Sequence, residues 1–292
     1  MKIQPECVPC LLKRVLFEAD LSTNDKKIQN KTIKKACTLL SMLYDPNVCS
    51  VDIATKVHKI AYETLGDKDP YKKLKTESNK TAKKLIPRVE ELVNVCEDPL
   101  RMSMLCSIVG NMMDFGIDGA SSSPEKLQDI FEDTISEDLG YDEYDELKIY
   151  LKNAKNVLLF TDNCGEIVFD KILCRELKKF NPNIFLTVVL KGKSILSDAT
   201  IEDALDIGLD KEVDQILTTG CFAVGIDFKK LPSDVLDLLN KCDIILSKGM
   251  GNYEAFSDTN FKPIAYLLRT KCKAIANSLG VNKDMNIIKL YY

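Results

Sequence analysis

Tryptophan is absent from this chain of 292 residues, and histidine occurs once, at His58. That scarcity excludes chemistry built on clustered imidazoles, including the histidine sets of zinc hydrolases and most Ser-His-Asp arrangements. His58 itself, in Ala54-Thr55-Lys56-Val57-His58, is expected on a helix surface. No run of about eighteen apolar residues is available to span a bilayer, so a membrane partner is not expected. The start, Met1-Lys2-Ile3-Gln4-Pro5-Glu6, lacks the charged-then-apolar pattern of a secretory signal. Basic charge is not in excess: 40 Lys+Arg against 44 Asp+Glu gives a net charge of −4. Nucleic acid is therefore not an expected partner. Two glycine signatures are missing as well, the dinucleotide G-x-G-x-x-G after a strand and the P-loop G-x-x-x-x-G-K-[ST].

Cysteine, by contrast, is plentiful. Eleven cysteines form an odd set, which with the missing signal segment points to a reducing, cytoplasmic setting rather than a disulfide framework. Cys37, Cys96, Cys106, Cys174 and Cys242 lie among apolar neighbours and are expected to pack as small hydrophobes. Cys7-x-x-Cys10 is different, because a C-x-x-C can be a metal or redox signature. No second pair completes a zinc site. On a helix Cys7 and Cys10 share a face and could meet Cys272, as a second metal or redox site or simply as packing.

The length suggests two domains, and the halves differ in pattern. From Pro5 to Lys152 the apolar positions recur at three and four, as in Val51, Ala54, Val57, Ile60, Ala61 and Leu65, which predicts a helical domain over 1–152. Gly66-Asp67, Asp98-Pro99 and Ser121-Ser122-Ser123-Pro124 supply the breaks. The acidic stretch from Asp133 to Glu146 is expected to be a solvated face. From 153 to 292 short apolar runs alternate with helical stretches. The candidate strands are 156–161, 184–190, 215–217, 243–247 and 274–276. That alternation predicts a three-layer α/β/α, Rossmann-like domain with a mostly parallel sheet, against which the helical part packs directly. Ligands of such sheets bind beyond the carboxyl ends of the strands.

The residues following those runs carry oxygen donors, lysines and glycines. Thr161-Asp162-Asn163-Cys164-Gly165-Glu166 offers Asp162 and Asn163 as ligands for a divalent cation, or an Asx turn that caps a helix. Cys164 occupies the second position of the Asp-x-Asp used by haloacid-dehalogenase-type phosphatases, which argues against an aspartyl-phosphate route. Lys191 could neutralise an anion, and Asp198 could add a second carboxylate; Thr200 with Asp203 reads equally as a helix cap. Lys248-Gly249-Met250-Gly251-Asn252 is either an anion cradle of backbone N–H groups or a structural turn. Lys271 is a further cation. Asn111 and Asp114 share a helix face and either reach a cleft or end that helix. Together these residues suggest a divalent metal bridging a phosphate, and hence phosphate-ester hydrolysis.

These motifs carry a resemblance. Asp162-Asn163-x-Gly-Glu166, Lys191 with Ser197-Asp198-Ala199, Lys248-Gly249-x-Gly-Asn252 and Lys271-Cys272 are similar to the motif set of the metal-dependent damage-control phosphatases, long called domain of unknown function 89. Cys7-x-x-Cys10 and Gly110-Asn111-Met112-Met113-Asp114-Phe115-Gly116 resemble its archaeal and bacterial subfamily. The resemblance covers nearly the whole chain. It implies a phosphatase of small phosphorylated metabolites using one divalent ion, Mn, Ni, Co or Mg. Asp162, Asn163 and Asp198 would hold the ion, with Glu166, Lys191, Lys248, Gly249, Gly251, Asn252, Lys271, Asn111 and Asp114 near the substrate. Eukaryotic relatives carry Arg-Thr-x-Lys near the C-terminus; here Arg269-Thr270-Lys271-Cys272 matches only through Lys271, so their sugar-phosphate preference does not transfer. Competing readings are a carboxyl methyltransferase using S-adenosylmethionine, for which no glycine-rich cofactor loop is evident, and a non-catalytic metal or redox module centred on Cys7 and Cys10. Oligomeric state is not legible.

Overall fold

The computed structural model describes residues 1–113 and 127–292. Among these residues, helices α1 (Cys7–Ser22), α2 (Lys26–Leu43) and α3 (Ser50–Leu65) come first. They share a core of Leu11, Val15, Ala36, Leu40, Ile53, Val57 and Ala61, the apolar stripe expected from three-and-four spacing. Gly66 ends α3 in the left-handed region at φ 70°, a conformation that costs glycine little. Next come α4 (Lys72–Val95), α5 (Pro99–Gly110), α6 (Leu127–Ser136) and α7 (Tyr144–Asn153). Asp98 caps α5 by accepting from the Arg101 N–H at 3.2 Å, with Pro99 at its first position. The serine break at 121–124 and Asp114 lie outside the described residues.

Among the described residues a seven-stranded sheet follows the order β1-β7-β6-β5-β2-β3-β4. Its strands are β1 (Tyr141–Asp142), β2 (Asn156–Phe160), β3 (Phe185–Leu190), β4 (Gln215–Thr218), β5 (Ile244–Lys248), β6 (Ile264–Arg269) and β7 (Asn286–Tyr291). All neighbouring pairs are parallel except β6 with β7. Successive side chains of a strand face opposite sides, and both sides are covered. Val157, Leu159, Leu186, Val188 and Leu246 enter a core with α4, α5, α7 and α8 (Glu166–Phe180). Leu158, Phe160, Val189 and Ile245 enter another with α10 (Ser233–Leu239), α11 (Met250–Phe256) and α12 (Lys273–Leu279). A short helix, α9 (Ile201–Asp206), is closed by the Thr200–Asp203 capping box. The result is the expected α/β/α sandwich.

Four expected runs are strands, but Ala274-Ile275-Ala276 lies inside α12. The alanines favour helix, and Gly280 caps the helix C-terminus at φ 72°. The fifth and sixth main strands are instead β6 and β7. His58 is also not on a surface: it is 1% exposed, with Nδ1 2.6 Å from Glu18 Oε1. Cys106 and Cys174 are buried as expected, Cys96 and Cys242 are half-buried, and Cys37 is exposed. Among the described residues no helix is long and apolar enough to cross a membrane.

Candidate functional site

Strand order reverses between β2 and β5: the chain runs outward to β3 and β4 on one side, and to β6 and β7 on the other. The loops leaving β2 and β5 diverge there and open a crevice. Asp162 and Asn163 leave β2 on one side of it, and Gly249 leaves β5 on the other. Gly249 has φ 76°, and a Cβ at that position would overlap the Asp162 carboxylate. Glycine is therefore required twice, for conformation and for close approach.

Asp162, Asn163, Ser197, Asp198, Asn111, Gly225 and Gly251 line one cavity of about 160 Å³. An isolated antiparallel bridge joins Asn163 to Asp198, and the Ala199 N–H donates to the Asp162 carbonyl at 2.8 Å. These backbone bonds bring the loops after β2 and β3 together. Asp162 Oδ2 accepts from Asn111 Nδ2 at 2.8 Å and from Asn163 Nδ2 at 2.7 Å. Asn163 Oδ1 accepts from the Ser197 hydroxyl at 2.7 Å. Leu196, in the same loop, has φ 49°, and its N–H donates to the Tyr62 hydroxyl at 3.0 Å. That bond fastens α3 to the Asp198 loop.

Two carboxylates and an amide oxygen facing one cavity fit a hard or borderline divalent cation, which takes oxygen ligands. The Ser197 hydroxyl need only rotate to release Asn163 Oδ1. Among the described residues no three His, Cys, Asp or Glu side chains converge as a metal cluster. Cys7, Cys10 and Cys272 do line the same cavity, without forming such a cluster. Burial pushes the Cys7 thiol up to about 11 and raises that of Cys10, so both are thiols near neutrality.

The expected lysines sit behind the cavity wall. Lys248 is completely buried; its ammonium is held by Glu166, by Asp170 Oδ1 at 2.8 Å and by the Ser107 carbonyl at 3.3 Å. Burial works against its charge, but Asp170 and Glu166 outweigh that and raise its pKa. Burial also pushes the Glu166 carboxyl up, against the pull of Lys248. Glu166 Oε2 accepts from Asn111 Nδ2 at 2.5 Å, so the chain Asp170, Lys248, Glu166, Asn111, Asp162 is continuous. Lys191 reaches Asp198 Oδ2 at 3.2 Å, Asn252 Oδ1 at 3.2 Å and the Gly225 carbonyl. Asn252 in turn donates to the carbonyls of Thr161 and Lys248, both at 2.9 Å. Lys271, just past β6, donates to the Asn111 carbonyl at 2.5 Å. Asp170, Ser107, Gly225, Arg14, His58 and Glu254 had no motif to single them out, yet the first two complete the buried network and the others line the cavity.

A doubly wound sheet whose switch-point crevice holds two carboxylates, an amide and a glycine-rich strand exit defines a class of oxygen-rich ligand-binding α/β proteins. Residues 3–287 match the family described as "Damage-control phosphatase ARMT1-like domain", and the chain belongs to that family. It is 39% identical over 290 residues to a damage-control phosphatase of Archaeoglobus fulgidus, covering 99% of each chain. A damage-control phosphatase of Pyrococcus horikoshii is 31% identical over 283 residues, covering 97% of this chain and 96% of the relative. The crystal structure of a DUF89 family protein from Pyrococcus horikoshii has a TM-score of 0.89 at 30% identity, with 100% of both chains covered.

Proposed function

We propose that the chain is a divalent-metal-dependent phosphatase that hydrolyses small phosphorylated metabolites in a housecleaning role. The observation carrying this reading is the meeting of Asp162, Asn163 and Asp198 in one cavity at the strand switch point. These three side chains would hold one ion, with Mn, Ni, Co and Mg all compatible with oxygen donors. When bound, the ion supplies Lewis acidity that draws charge from a phosphate oxygen.

The chain's own residues do the rest. The closeness of Gly249 to Asp162 sets the depth of the cradle. Asn111 and Asn163 orient the Asp162 carboxylate through their amide N–H groups. Lys191 fixes Asp198 and Asn252, while Lys271 fixes the backbone at Asn111. Glu166 and Lys248 support this arrangement from behind rather than meeting a phosphate. Water enters in line with the departing alcohol, and phosphate leaves with one of its oxygens. The compact cavity favours small monoesters over nucleotides or polymers.

The test is turnover of a panel of phosphorylated metabolites and an aryl phosphate by chelator-stripped protein, with each metal restored separately. Metal-restored release of phosphate is expected. Silence with all four metals on every ester would refute the reading.

A further inference from the structure

We infer that His58, oriented by Glu18, is the general acid that protonates the departing alcohol oxygen. This rests on the phosphatase reading and adds a catalytic group to it.

The lone histidine lies on α3 and lines the cavity that holds Asp162 and Asp198. It is buried, and its Nδ1 lies 2.6 Å from Oε1 of Glu18, a carboxylate on α1 with no exposed surface. At that separation the two atoms are in contact without an aligned hydrogen bond. With Nδ1 turned to Glu18, Nε2 is the ring nitrogen left for the cavity. A carboxylate behind one imidazole nitrogen, on a ring that lines the cavity of the proposed metal-binding set, is the arrangement that fixes a histidine for proton transfer.

The position of α3 is itself held by the site. One turn before His58, the Thr55 hydroxyl accepts from the Val224 N–H at 3.0 Å. One turn after it, the Tyr62 hydroxyl accepts from the Leu196 N–H at 3.0 Å. Val224 and Leu196 both line the cavity, Leu196 two residues before Asp198. His58 is thus clamped between two attachments to the walls around the metal-binding set. A merely structural buried histidine requires neither of these attachments nor a place on the cavity wall.

The water oxygen forms a bond to phosphorus as the bond from phosphorus to the alcohol oxygen breaks, and that electron pair stays on the alcohol oxygen. The proton on His58 Nε2 moves to that oxygen, so an alcohol leaves instead of an alkoxide. The proton shed by the attacking water passes to solvent, and His58 regains one from solvent before the next turnover. No oxidant or reductant is involved.

The test compares an alkyl monoester, glycerol phosphate, with p-nitrophenyl phosphate, whose leaving group departs readily without a proton. In metal-loaded His58→Gln, kcat on glycerol phosphate should fall about 100-fold or more, while kcat on the aryl ester changes by less than about threefold. Equal losses on both esters, or none on the alkyl ester, would overturn the assignment. Glu18→Gln keeps the side-chain size and should show the same leaving-group bias with a smaller loss. It carries the test if His58→Gln does not fold, and a bias absent there would likewise overturn it. Failure of the wild-type chain to hydrolyse either ester with any metal would instead remove the phosphatase reading, and this inference with it.

Discussion

Replacing Lys248 by Met removes the cation held between Glu166 and Asp170 and leaves two buried carboxylates without it. Lys248, Glu166 and Asp170 all have no exposed side-chain surface. Deleting one partner of a buried ion pair costs about 3–5 kcal/mol because the remaining charge stays desolvated. Here two carboxylates lose that partner, which places the expected loss at the upper end, about 5 kcal/mol by the same reasoning. At about 2 °C per kcal/mol for a chain this long, the melting temperature should drop by about 10 °C. The sign of the pH dependence follows from the raised pKa of Lys248: its contribution is complete below the usual lysine range and is lost only as pH rises through the higher folded value. The ammonium therefore stays charged through neutrality, but in the variant Glu166 loses the pull of Lys248 that opposed its burial, so its carboxyl protonates more readily and the wild-type advantage should narrow as pH falls. Denaturant unfolding of the metal-free protein measures the loss directly. Inorganic phosphate should inhibit the residual activity of the variant with an unchanged constant, since the ammonium is held by Glu166 and Asp170 and does not line the cavity. A variant of unaltered stability that binds phosphate far more weakly would refute the reasoning and return Lys248 to the substrate.

Gly249→Ala should lose metal binding and turnover together, because a methyl group there displaces the Asp162 carboxylate and strains a backbone at φ 76°; calorimetric titration with Mn measures it. Asp98→Ala should destabilise α5 by about 1 kcal/mol through loss of its cap. Partial burial acts to raise the Asp98 carboxyl, but hydrogen bonds from Lys148, Tyr144 and the Arg101 N–H hold it below its usual value. Its contribution is therefore present above the ordinary aspartate range near pH 4 and lost as pH falls through the lower folded value, so the acid limb of the stability curve should be shallower in the variant. Alkylation at pH 7 should label exposed Cys37 well before Cys7, whose thiol burial pushes up to about 11; mass spectrometry of digested protein reads the order.

Much of the fold was legible because its patterns are local. The runs of β2 and β3 are apolar but for Asn156 at the start of one and Thr187 within the other, close to the near-continuous apolar runs of buried parallel strands, and Asp98-Pro99 is a cap signal readable in two residues. Ile264-Ala265-Tyr266-Leu267-Leu268 escaped because alanine and leucine serve helices equally well, and only its place between β5 and β7 makes it a strand. Site residues at strand exits were similarly accessible: Asp162, Asn163 and Asp198 follow strands and meet in one cavity. Burial was not accessible. Lys248 ends β5 beside a glycine, as a phosphate-binding lysine would, but Asp170 sits one turn beyond Glu166 on α8 and captures it. His58 reads as a surface position until α1 brings Glu18 against it, a contact spanning 40 residues that no spacing rule contains.

Asp162, as a member of the proposed metal-binding set, is the residue on which turnover should depend most directly. Chelator-stripped wild-type protein and Asp162→Ala, matched for folding by circular dichroism, should be titrated with Mn and then assayed on the best ester of the panel. Saturable binding and turnover are expected in the wild type, with both lost in the variant. Wild-type metal affinity or wild-type turnover retained by Asp162→Ala would remove Asp162 from that set.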